Sequence, residues 1–111
     1  DDVTEVVIPA YEGEMGILKD HISLISFLKP GLIKIFSKGV EDKFFVEDGI
    51  VEFKDNNLTI LTSSISNIND MKKDRIDAIL NEAEKNSKDK EISDQQKYLA
   101  DQKIEVLKSI N

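Results

Sequence analysis

The sequence has no cysteine and no tryptophan, a single histidine, two prolines and five glycines in 111 residues. Without cysteine there is neither a disulfide nor a thiolate metal site, which suits a reducing compartment. One imidazole, His21, excludes a two-histidine metal site within the chain. No apolar run approaches the roughly 20 residues that a transmembrane helix needs. No signal-peptide pattern opens the chain, so any membrane role is expected to be peripheral. A net charge of −7 argues against nucleic acid, because phosphate binding needs clustered Lys and Arg. The chain opens on Asp1 rather than Met and is expected to be processed or trimmed.

What is present divides into two chemically different parts. Residues 1–65 carry 12 acids and 6 bases, net −6, and residues 66–111 carry 10 and 9, net −1. The first part reads as short strands punctuated by turn residues. Val3-Thr4-Glu5-Val6-Val7-Ile8 is β-branched and is expected to end at Pro9, which cannot donate to a ladder. Leu32–Phe36, Lys43–Glu47, Ile50–Phe53 and Leu58–Thr62 follow, the last of these expected to be the final strand. Between Phe53 and Leu58, Asp55-Asn56-Asn57 can turn because Asn and Asp tolerate left-handed backbone. This spacing predicts an antiparallel β-sandwich or barrel over residues 1–65.

The period then changes. Ile76, Ile79, Leu80 and Ala83 fall on one helical face, with Asp70 expected as the N-cap. After the polar link 86–91, Ser93-Asp94-Gln95-Gln96 matches a capping box. Leu99, Val106, Leu107 and Ile110 form the stripe of a second helix. A short link between two helices predicts an antiparallel αα-hairpin over residues 66–111. Each stripe is narrow and helices of this length are marginal alone in water, so the hairpin is expected to lean on the sheet or on a partner.

The stretch Glu12–Gly31 looks least like regular structure, with three of the five glycines and the histidine. Its chemistry is thin. No G-x-S-x-G elbow accompanies His21, so a loop histidine is the simpler reading than a catalytic one. Gly13 and Gly16 meet neither the Walker nor the dinucleotide spacing, and the acids beside them would repel phosphate. Glu12 and Glu14 flank Gly13 on an expected surface loop facing solvent or a partner, and the glycines there supply backbone freedom. No metal site, cofactor or enzymatic activity is expected.

Taken together, the segments Glu12-Gly13-Glu14-Met15-Gly16-Ile17, His21, Leu24 and Leu28-Lys29-Pro30-Gly31-Leu32-Ile33-Lys34-Ile35 resemble one family. The ε subunit of bacterial F-type ATP synthases (δ in mitochondria) carries E-G-x-x-G-I/V-x-P-G-H-A-P-L followed by L-K-P-G-x-I/V-x-I. Asp48–Phe53 and Leu58–Leu61 resemble two later strands of that family, and the two-helix C-terminus has the expected length. The resemblance thus spans nearly the whole chain. It departs at Lys19-Asp20-His21-Ile22-Ser23, where two prolines and a glycine of the pattern are lost and the loop is expected to be less rigid. The family's strand ahead of Val3 is expected to be missing, leaving a sheet edge open.

The resemblance implies a rotary role without chemistry: binding the γ subunit, standing on the ring of c subunits, and helping pass torque from the proton-driven ring to the catalytic head. By position, Glu12, Gly13, Glu14 and Met15 would touch the polar loops of the c ring, with Glu14 foremost, and His21 and Ser26 would face γ. Some members bind ATP through I/L-D-x-x-R-A at the first helix. Here Met71-Lys72-Lys73-Asp74-Arg75-Ile76 retains Arg75 alone, so no ATP binding is expected. The helices would restrain ATP hydrolysis by meeting the α/β head transiently. Lys97 and Lys108 could serve, but Asp101 lies between them and the drive is weak. The setting implied is the cytoplasmic face of the bacterial inner membrane. A β-sandwich adaptor for an unrelated partner is the alternative, and a small hydrolase using His21 a distant third.

Overall fold

A computed structural model describes residues 3–110 of the chain. It holds eight strands, β1 Val3–Ala10, β2 Gly13–Leu18, β3 Leu24–Leu28, β4 Gly31–Ser37, β5 Val40–Val46, β6 Gly49–Lys54, β7 Asn57–Leu61 and β8 Ile65–Asn67. A 3₁₀ turn, Ile68–Asp70, leads to helices α1 Lys73–Ser87 and α2 Asp94–Ile110. The chain divides into two compact units between Asn67 and Ile68. The ranges expected from sequence include Asp1, Asp2 and Asn111, which lie outside the described residues.

Every pairing in the sheet is antiparallel, in the order β7-β6-β3-β1-β4-β5-β8, with β2 beside β1. Val6 and Ile8 on β1, Ile17 on β2, Leu28 on β3, Ile33 on β4, Val46 on β5, and Val51 and Phe53 on β6 form one buried cluster. This is the period-2 pattern of strands that bury one face. Ile8, Ile33, Val46 and Val51 are fully shielded, and each such side chain stabilises the sandwich by about 1.5–3 kcal/mol.

Several expectations are corrected. The stretch Glu12–Gly31 contains two strands, β2 and β3, rather than a loop. Glycines at 13 and 16 dilute the alternation of β2, and β3 is apolar on both faces, so neither shows a clean period. The strand β1 continues through Pro9 to Ala10. Pro9 falls between the ladder to β4, which ends at the Val7–Lys34 pair, and the contact with β3 at Ala10–Leu28. A residue without an N–H costs least at such an interval. β8 follows β7 and pairs with β5, so β7 is not the final strand.

In the helical unit, Ile76 and Ala83 on α1 and Ala100 and Leu107 on α2 are buried, and the two helices pack on each other. Asp70 is not the N-cap of α1: it sits in the preceding 3₁₀ turn, and Lys72 occupies the cap without a side-chain bond. The capping box of α2 is formed. The Gln96 N–H donates to Ser93 Oγ at 3.1 Å, and the Ser93 N–H donates to Gln96 Oε1 at 3.0 Å.

Candidate functional site

Tyr11 and Glu12 form the two-residue turn between β1 and β2, closed by the Ala10–Gly13 pair. Gly13 has φ +127°, a backbone that side chains rarely tolerate. Both Tyr11 and Glu12 are exposed at this tip. Glu14 lies opposite Pro9 and is exposed. Met15 lies opposite Ile8 and packs against the core. The four residues grouped by sequence therefore separate: Glu12 and Glu14 present carboxylates, Gly13 shapes the turn, and the Met15 side chain turns inward.

Glu14 is not a free acid. Lys34 Nζ lies 3.2 Å from Glu14 Oε2, with side-chain exposures of 28% and 64%. An ion pair this open to water contributes about 0–1 kcal/mol, so its effect is on the direction of the carboxylate more than on stability.

His21 lies at the other end of β2, roughly 17 Å from the tip at the ordinary rise per residue. Its backbone N–H donates to Leu18 O at 3.1 Å, and its ring meets Phe53 edge-on with centroids 6.1 Å apart. Nδ1 lies 2.7 Å from Ile22 O. The preceding Asp20 has φ +66° and is tied to Asn56 of the β6–β7 turn by two hydrogen bonds. The loop is thus held by side chains where the family pattern uses prolines.

Ser26 is half-buried. It pairs with fully buried Val51, so its side chain shares the core-facing side of β3 with Leu24 and Leu28. Its neighbours Ile25 and Phe27 point outward and are 68% and 63% exposed. Across the sheet Phe27 pairs with Ile50, and Ile50 pairs with Leu61; Leu61 is 65% exposed. Tyr11, Phe27, Ile50 and Leu61 line one shallow depression at the tip end. Sequence reasoning missed this apolar face. The signal available was Leu24-Ile25-Ser26-Phe27-Leu28, apolar at positions of both parities, which a strand with one solvated face does not need.

Arg75 is exposed in the first turn of α1. Ser87 at the end of α1 donates through Oγ to the Asp101 carboxylate on α2. Lys97 and Lys108 are exposed on α2. No described helix is long and apolar enough to cross a membrane.

The family profile described as ATP synthase, Delta/Epsilon chain, beta-sandwich domain matches residues 1–68. The ATP synthase epsilon chain of Pelagibacter ubique is 70% identical over 111 residues, covering 100% of this chain and 85% of the relative. The mitochondrial ATP synthase subunit delta of Schizosaccharomyces pombe is 37% identical, covering 82% of this chain and 57% of the relative. Among solved structures, a chain of the Euglena gracilis mitochondrial ATP synthase (OSCP/F1/c-ring) superposes with a TM-score of 0.70 at 21% identity, over 96% of this chain and 66% of that one. A chain of the Tetrahymena thermophila mitochondrial ATP synthase central stalk/c-ring gives 0.69 at 19% identity, over 98% and 82%. At those identities the structures establish a shared fold.

Proposed function

The chain belongs to the delta/epsilon chain family of ATP synthase, and on that premise we propose that it is the non-catalytic ε subunit in the central stalk of a proton-translocating F-type enzyme. It binds γ, rests on the c ring and helps carry torque between the ring and the catalytic head. It works at the cytoplasmic face of the bacterial inner membrane, held there through the complex.

The observation that supports this reading is that Tyr11 of the β1–β2 tip lines one depression with the exposed apolar residues Phe27, Ile50 and Leu61. The tip carries exposed Glu12 and Glu14. Beside it lies the apolar row Phe27, Ile50 and Leu61. An exposed apolar face of this kind on a small charged domain marks a protein interface. The acids at the tip accept charge-assisted or amide hydrogen bonds from the polar loops of the ring. The apolar face receives γ, with His21 at its far end. Ser26, whose side chain is turned to the core, acts there through its flanking residues Ile25 and Phe27.

A co-purification from cells tests the γ assignment. The intact chain brings down γ, and Phe27→Asp abolishes recovery of γ while the chain stays folded by circular dichroism. Undiminished recovery with Phe27→Asp, or absence of γ from the parent pull-down, defeats the assignment.

The helices are assigned a subsidiary part, a transient restraint of hydrolysis by contact with the α/β head. With a domain charge of −1 and Asp101 engaged by Ser87, the electrostatic drive through Lys97 and Lys108 is weak. ATP binding is not assigned, since Arg75 stands without the rest of its motif.

A further inference from the structure

We propose that Lys34 on β4 is a positioning residue for Glu14, holding that carboxylate as a directed acceptor for neutral amide or hydroxyl donors of the c-ring loops. This deepens the ring contact proposed above and rests on it.

The register produces the pair. β1 lies between β2 and β4, and Val7 is level with both Gly16 and Lys34. Gly16 offers no side chain on that level, and Glu14 sits two residues nearer the tip, opposite Pro9. Two inter-strand spacings amount to roughly 10 Å, a span that a lysine and a glutamate cover only when both extend. They do so here, Nζ to Oε2 at 3.2 Å. β1 lies between them, and its buried Pro9 is the platform under the pair.

Two consequences follow. First, a free glutamate samples several rotamers that docking must freeze, whereas Glu14 is already held over the sheet while remaining 64% exposed. Second, Lys34 has answered its charge. A lysine or arginine brought to Glu14 would also approach Lys34 and be repelled, so an uncharged donor is the better partner for the remaining acceptor capacity.

The test uses membrane vesicles carrying the complete ATP synthase, with the ratio of ATP-driven proton pumping to ATP hydrolysis as readout. Glu14→Ala lowers the ratio; if it does not, the ring contact itself fails. With that contact secured, Lys34→Met lowers the ratio by roughly two- to fivefold, the largest bias that an exposed pair of this kind can place on the carboxylate. The melting temperature of the isolated chain barely moves. Lys34→Arg, a cation of similar reach, restores coupling. The exchange Glu14→Lys with Lys34→Glu rebuilds the pair but puts a cation at the tip, and coupling stays low. Recovery in that double variant, or parental coupling in Lys34→Met beside a defective Glu14→Ala, overturns the positioning role and leaves the ring contact standing. The coupling that remains in Lys34→Met, where no Lys34–Glu14 pair is left to be screened, holds from low to high salt; a steep loss there, as expected for a cationic partner screened by salt, overturns the neutral donor.

Discussion

Asp20 and Asn56, 36 residues apart, exchange two hydrogen bonds: the Asp20 N–H donates to Asn56 Oδ1 at 2.7 Å, and Asn56 Nδ2 donates to Asp20 Oδ1 at 3.0 Å. Both residues are in left-handed backbone, φ +66° and +62°. Asn and Asp accept that conformation more readily than other side chains. The pair ties the His21 loop to the β6–β7 turn, so the loop that lacks the family's prolines is fastened by tertiary contacts.

Asn56→Gly isolates this fastening, because glycine keeps the left-handed turn and removes only the amide. Loss of an exposed reciprocal pair is expected to cost about 1 kcal/mol. Hydrogen exchange at the His21 amide, which donates to Leu18 O, should accelerate while core amides of β6 keep their protection. An unchanged His21 amide would show that the loop is held by other contacts.

Gly31 presses on Pro9. A Cβ built at Gly31 would lie 2.5 Å from Pro9 Cβ, and Pro9 is itself buried. Gly31→Ala is therefore expected to destabilise the β unit by about 1–3 kcal/mol, the usual cost of overpacking. Denaturant unfolding measures it. A midpoint equal to that of the parent would mean that the strands part without cost.

The capping box at Ser93 and Gln96 lets the helical unit be weakened alone. Ser93→Ala should cost about 0.5–2 kcal/mol and expose the first-turn amides of α2 to exchange. Protection in β1, β4 and β6 should not change. Equal losses in strands and helix would indicate that the units unfold as one.

The helix start carries an expectation about nucleotide. Arg75 is present, but Lys72 and Ile76 stand where the ATP-binding pattern has Asp and Ala. Titration calorimetry with ATP is expected to give no micromolar binding, and Arg75→Ala to change nothing. A micromolar dissociation constant lost in Arg75→Ala would reverse that expectation.

Much was legible in the residues. Strands β6 and β7 bury alternate positions, as does the start of β4. The turn at Asp55-Asn56 followed from the tolerance of those residues for positive φ. The Ser93 capping box is a local device, complete within four residues, so it could be read directly. The family resemblance rested on short segments in fixed order and needed no coordinates. What could not be read was any feature in which distant segments meet. Strand β3 hid because its outward residues Ile25 and Phe27 are apolar, a choice that makes sense only against a partner. The role expected for Ser26 was blind to strand parity, which became visible only with its pairing to Val51.

By itself the sequence determined the division into an acidic β part and a nearly neutral helical part, since periodicity and charge are local. It also fixed the turn chemistry and the acidic tip. Tertiary structure decided which acid is engaged and which residues share a face. Lys34 finds Glu14 only because β1 runs between their strands. Phe27, Ile50 and Leu61 come together only through the registers of three strands. Pairing across a sheet depends on closure of long loops, and no run of neighbouring residues encodes that alone.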